Sequence, residues 1–145
     1  MSYTCEFSEM HKVLDRIPPS NTQTGGISTI WMCVKDYHRV FVFLGCGNMT
    51  NTLDVAVWQA TNAAGAGAKI VTGKTITQLA GGDDNEMVGI ELRTEELDVA
   101  GNFDYIRVQT LNGGTTGNNC YELVVFGCIP RFAPVGTTEF DEIVH

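Results

Sequence analysis

Positive charge is scarce in this chain. Nine Lys and Arg stand against seventeen Asp and Glu, a formal charge of −8 with a pI near 4.7. That balance has the wrong sign for a protein that must neutralise phosphates, so no nucleic-acid partner is expected. No run approaches the ~18 apolar residues needed to cross a bilayer, and Met1–Asp15 lacks a basic region followed by an apolar core. The chain therefore reads as soluble and made in the cytosol, with no membrane partner. Histidine is limited to His11, His38 and His145, and neither a CxxC nor an HxxxH pair occurs. No zinc, other metal or cofactor is expected on that ground. Cysteine is odd in number: Cys5, Cys33, Cys46, Cys120 and Cys128. Three of these lie in apolar strand segments, where a thiol acts as a small hydrophobe, and reduced core cysteines are the expectation. Asn48-Met49-Thr50 fits a glycosylation acceptor but means little without a secretion signal.

What is present is a rhythm of short strand-like segments. With 145 residues and 43% hydrophobic content, one domain with one sizeable core is predicted. Strand candidates are Ile27–Val34, Arg39–Cys46, Leu53–Ala60, Lys69–Leu79, Glu86–Arg93, Phe103–Leu111 and Cys120–Ile129. Glycine and asparagine between them supply turns with positive φ. This spacing predicts an all-β fold, an antiparallel β-sandwich of jelly-roll or Ig-like type. No fixed-period repeat occurs.

Ahead of the strands, Met10, Val13, Leu14 and Ile17 recur at helical spacing, predicting a short helix over Glu9–Ile17 that Pro18-Pro19 ends. Pro18–Gly26 reads as a linker. The expected organisation is an N-terminal arm with a short helix (1–26), a sandwich domain (27–135) and a C-terminal tail (136–145).

Within the strands, Val88, Ile90 and Leu92 alternate with Gly89, Glu91 and Arg93, which describes a half-buried strand. Two others are apolar on both faces. Val40, Val42 and Leu44 oppose Phe41 and Phe43, and Leu123 and Val125 oppose Val124 and Phe126. The surplus has two explanations: central strands covered by an arm or the tail, or a buried subunit interface. Tyr105, entering its strand after Asp98–Asp104, fits a tyrosine corner whose hydroxyl bonds to upstream backbone.

Candidate chemistry is weak throughout. Gly67–Thr75 nearly spells a phosphate-binding loop, but Ala68 stands where the first glycine belongs and Thr75–Leu79 continues as β-branched strand. Asp83-Asp84-Asn85-Glu86 lacks the spaced carboxylates of a calcium loop and reads as an acidic turn. Cys33 and His38 are close in sequence, yet nothing near them lowers a thiol pKa. No catalytic residue is assigned and no enzyme is expected. Trp31 and Trp58 are read mainly as packing residues, with a sugar-stacking platform as the competing use. Trp58, flanked by Ala56 and Ala60, could fill either the core or an interface.

Taken together, Asp36–Arg39, Val55–Lys69, Ile76–Leu79, Arg93–Asp98, Tyr105–Val108 and Arg131–Val135 make the chain resemble a family of small tailed-bacteriophage virion proteins, over roughly 27–135. The resemblance implies a structural protein of the phage head, a cement or decoration protein clamping neighbouring capsid subunits. It implies the major capsid protein as partner, a homo-oligomer with a trimer favoured, and a place in the virion after assembly in the host cytoplasm. Phe41, Phe43, Val124, Phe126, Trp58, Arg131 and Phe132 are then the interface candidates. Two other readings stand beside it: a head–tail connector or tail component, and a carbohydrate-binding module that uses Trp31, Trp58 or Tyr121.

Overall fold

A computed structural model describes residues 6–114, 119–132 and 140–144. Residues 1–5 of the expected arm, with Cys5, residues 133–135 of the expected sandwich domain, and residues 136–139 and His145 of the expected tail lie outside the described residues. The elements are α1 (Phe7–Met10), β1 (His11–Gln23), β2 (Gly26–Ser28), β3 (Met32–Cys33), β4 (Tyr37–Cys46), β5 (Leu53–Ala60), β6 (Lys69–Thr75), β7 (Met87–Arg93), β8 (Tyr105–Asn112) and β9 (Asn119–Pro130). Two single 3₁₀ turns, Thr94–Glu96 and Val99–Gly101, join β7 to β8.

The strands form two antiparallel sheets. The first has the order β1-β9-β4-β7 and the second β2-β8-β5-β6, with β3 also on β8. The pairings are nested: β1 with β9, β2 with β8, β4 with β7 and β5 with β6. A long hairpin rolled over on itself gives this arrangement, which is the jelly roll. It decides between the two sandwich types expected from sequence. β2 and β3 are one edge strand interrupted by a bend, where Thr29 exchanges bonds with Val108 through its amide and hydroxyl and the Ile30 amide donates to Asp15 Oδ2 at 2.8 Å.

Alternation places the core. Val40, Val42 and Leu44 of β4, Leu123 and Val125 of β9 and Ile90 and Leu92 of β7 face Leu53, Val55 and Val57 of β5, with Ile106 and Val108 of β8. Burying each such side chain is worth about 1.5–3 kcal/mol against leaving it exposed.

The N-terminal segment differs from expectation. The helix is one turn, Phe7–Met10, and residues 11–23 form a strand of the first sheet rather than an arm. The physical reason is a bulge. The register shifts between Val13 and Asp15, so Val13 stays outside the inter-sheet core while Ile17 enters it, and the two apolar residues acquire a spacing that imitates a helix. Pro18 and Pro19 are accommodated because β1 is an edge strand, whose outward positions need no N–H.

The buried tyrosine network also belongs elsewhere than Tyr105. Tyr121 is 1% exposed, and its hydroxyl is shared with Thr110 at 2.8 Å and accepts from Asn112 Nδ2 at 3.1 Å. That burial removes Tyr121 from any sugar platform.

Candidate interaction surface

β4 and β9 are adjacent central strands, so their outward residues meet on one face. Phe41 is the direct cross-strand partner of Phe126, and Phe43 of Val124. Phe41 is 38% exposed, and the other three are half-buried. β7 makes room for the ring, since a Cβ at Gly89 would lie 2.9 Å from the Phe41 ring. An ion pair between Arg39 and Glu91 at 2.6 Å borders the aromatic patch.

Residues that the sequence did not flag complete this face. β1 brings His11 opposite Cys128 and Val13 opposite Phe126. The turn α1 then folds Phe7 back, with its ring stacked on His11 at 4.2 Å and edge-on to Phe126 at 6.1 Å. His11 Nδ1 donates to the Phe7 carbonyl at 3.0 Å, which fixes that stack. Phe7, His11, Phe41, Phe43, Phe126 and Cys128 line a shallow groove of about 400 Å³. Burial pushes the Cys128 thiol above its ordinary pKa, so it contributes as an apolar wall and not as a nucleophile.

The remaining interface candidates lie elsewhere. Arg131 sits at one end of the sandwich, where its amide donates to the Asp36 carbonyl and its Nε to the Lys35 carbonyl, both at 2.8 Å. It borders a pocket of about 350 Å³ floored by Val34, Leu97, Val99 and Phe103. Phe132 is 78% exposed. Trp58 lies on the outer face of the opposite sheet, and it belongs to no core cluster. Nor does Trp31, so both depart from the packing role favoured by sequence. They are half-buried on the outside of β5 and of the β2–β3 bend.

The other motifs resolve into structural parts. Lys69–Thr75 is strand β6, and Lys74 Nζ reaches across to the Glu91 carbonyl at 2.7 Å and to Glu96 at 3.0 Å, joining the edges of the two sheets. Asp83 and Asp84 each accept a backbone amide at 2.7 Å, from Ala80 and Met49. Those bonds hold a turn together. Among the described residues no three of His, Cys, Asp and Glu converge on a point.

No protein-family model matches the chain, and no curated protein matches it. Among solved structures, the chain is similar to several at low identity. A chain of Broad bean stain virus is 11% identical with a TM-score of 0.47, covering 99% of this chain and 97% of its own. A chain of the disulfide-linked endospore appendage pili of Bacillus is 11% identical with a TM-score of 0.43, covering 89% and 99%. The N-terminal cellulose-binding domain of Cellulomonas fimi β-1,4-glucanase C is 13% identical with a TM-score of 0.40, covering 84% and 78%.

Proposed function

We propose that the protein is a non-catalytic structural component of a phage head, a cement or decoration protein that bridges major capsid subunits. The observation that supports this reading is the aromatic outer face of β4 and β9, where Phe41, Phe43, Val124 and Phe126 leave apolar surface that the protein's own core does not use. An apolar patch on the rigid centre of a sheet, rimmed by the Arg39–Glu91 ion pair, has the make-up of a protein–protein contact. The sequence resemblance to small phage virion proteins supports the major capsid protein as that partner. A jelly roll alone would not, because one fold hosts many functions.

The same face serves self-association, and a trimer fits the three-fold positions of an icosahedral lattice. The test is to add purified protein to capsids that lack it. Stoichiometric binding, with a gain in heat resistance that Phe126→Glu removes, is the expected result. Unchanged particle stability at full occupancy overturns the cement role, and a copy number of a few to a few dozen per particle indicates a head–tail connector instead. Light scattering on the isolated protein at high concentration tests the trimer, and a monomeric mass counts against it.

A further inference from the structure

The outer face of the second sheet holds an arrangement that the first face does not explain. Arg107 on β8 is the cross-strand partner of Trp58 on β5, and the bend between β2 and β3 sets Trp31 on the other flank. The guanidinium carbon lies 4.9 Å from the Trp31 ring centroid and 5.7 Å from that of Trp58. Gly65, with φ +79°, approaches the edge of the Trp31 indole so closely that a Cβ there would lie 2.5 Å from Nε1. The loop after β5 therefore holds Trp31 in place against β8.

Charge and hydrogen bonding single this cluster out. The chain carries a formal charge of −8, yet Arg107 forms no ion pair among the described residues. Its Nε and the Trp58 Nε1 are both buried donors with no partner among the described residues. An unpaired buried donor is costly, and one beside an unpaired cation on a sheet face marks a place where an acceptor belongs. Alternation along β8 puts Tyr105 and Gln109 on the same side as Arg107, both half-buried. Asp54, which pairs in register with Leu111, is engaged by Gln78 Nε2 at 2.8 Å.

We propose that this face binds an acidic saccharide. The guanidinium of Arg107 takes the sugar carboxylate in a forked pair of bonds. The indoles of Trp31 and Trp58 cover the C–H faces of the pyranose rings, and Tyr105 and Gln109 offer neutral hydrogen-bonding groups to the hydroxyls. A neutral sugar leaves the guanidinium unpaired, and a polyphosphate meets one cation in an acidic protein. The site is on the opposite side of the sandwich from Phe41 and Phe126, so it is independent of the capsid reading.

Trp31 and Trp58 are the only tryptophans in the chain, so tryptophan emission reports this site alone. The experiment titrates the full-length protein with tri-galacturonate and with its methyl ester, which differ in charge but not in ring structure. Saturable binding of the acid, seen by emission and by calorimetry and weakening with salt, is expected, with loss of binding for the ester. Arg107→Lys should weaken binding about tenfold, since a lysine cannot fork, while Phe126→Glu leaves it unchanged. Equal binding of acid and ester overturns the proposal, as does the absence of any response to the acid at millimolar concentration. These outcomes use the native protein and hold even if an Arg107 variant fails to fold.

Discussion

Asn119 on β9 donates its side-chain amide to Oδ1 of Asn112 on β8 at 2.9 Å, a buried hydrogen bond that crosses from one sheet to the other. Asn119 also donates to the Thr52 carbonyl at 3.2 Å and accepts from the Thr50 and Asn51 amides at 3.1 and 2.9 Å. Asn112 donates in turn to the Gly25 carbonyl at 2.8 Å and to the Tyr121 hydroxyl. Every polar group of the Asn119 side chain is thus satisfied, the condition under which a buried polar network specifies one packing.

Asn119→Ala should therefore destabilise the protein by about 2–4 kcal/mol, because it strands buried donors and acceptors at the end of both sheets. Urea unfolding measures this. Tyr121→Phe, which removes only a hydroxyl, should cost about 1–2 kcal/mol. Equal small losses in both variants would show that the network carries no such weight.

Gly127 and Tyr37 form a second coupled pair. A Cβ at Gly127 would lie 2.6 Å from the Tyr37 ring, and Tyr37 is 8% exposed. Gly127→Ala should cost about 1–3 kcal/mol through overpacking. Adding Tyr37→Ala should make the two changes strongly non-additive. Additive losses in a double-mutant cycle would contradict the contact.

Lys74, with its side chain 17% exposed, bonds the Glu91 carbonyl on the free edge of β7 and pairs with Glu96. The Arg93 amide, and after it Lys74, hold the Glu96 carboxyl below its ordinary pKa. A depressed carboxyl adds stability above the unfolded-state value near 4.5, and that stability is lost as pH falls through the lower folded value. Unfolding measured between neutral and acid pH should show this decline, with a smaller one in Lys74→Met. A steeper decline in the variant would refute the role of Lys74.

Cys46 is buried, and its thiol is pushed up to about 11, first by burial and then by Glu86, Asp83 and Cys120. It should resist iodoacetamide at pH near 8 in the native protein and react on unfolding, with mass spectrometry of the peptides as readout. Because the folded value is raised, the linked stability is present below the unfolded-state value near 9 and fades as pH rises through the folded one. Rapid labelling in the native state would show that the site is open.

The sequence made the sandwich legible where alternation is local. Val88, Ile90 and Leu92, or Val55 and Val57, declare their faces without reference to any other strand. Phe41, Phe43, Val124 and Phe126 could be identified as outward by the same rule, but not as cross-strand partners, since register is a long-range property. β1 was obscured because a bulge places Val13 and Ile17 four apart on opposite faces. Arg107 carries no local signal because its meaning depends on Trp58 and Trp31 flanking it, and those pairings appear only once β5 and the β2–β3 bend align along β8. Phe7 and His11 joined the groove for the same reason, through the pairing of β1 with β9.

The nested pairing also orders events in time. β5 and β6 are close in sequence and can zip early, whereas His11 must find Cys128 across nearly the whole chain, a closure with a high entropic cost that slows folding. On the ribosome, β1 has no sheet partner among the described residues until β9 has been made, and the groove that Phe7 and Phe126 line is incomplete before then. The aromatic groove is thus completed only when β9, the last of the described strands, has paired with β1.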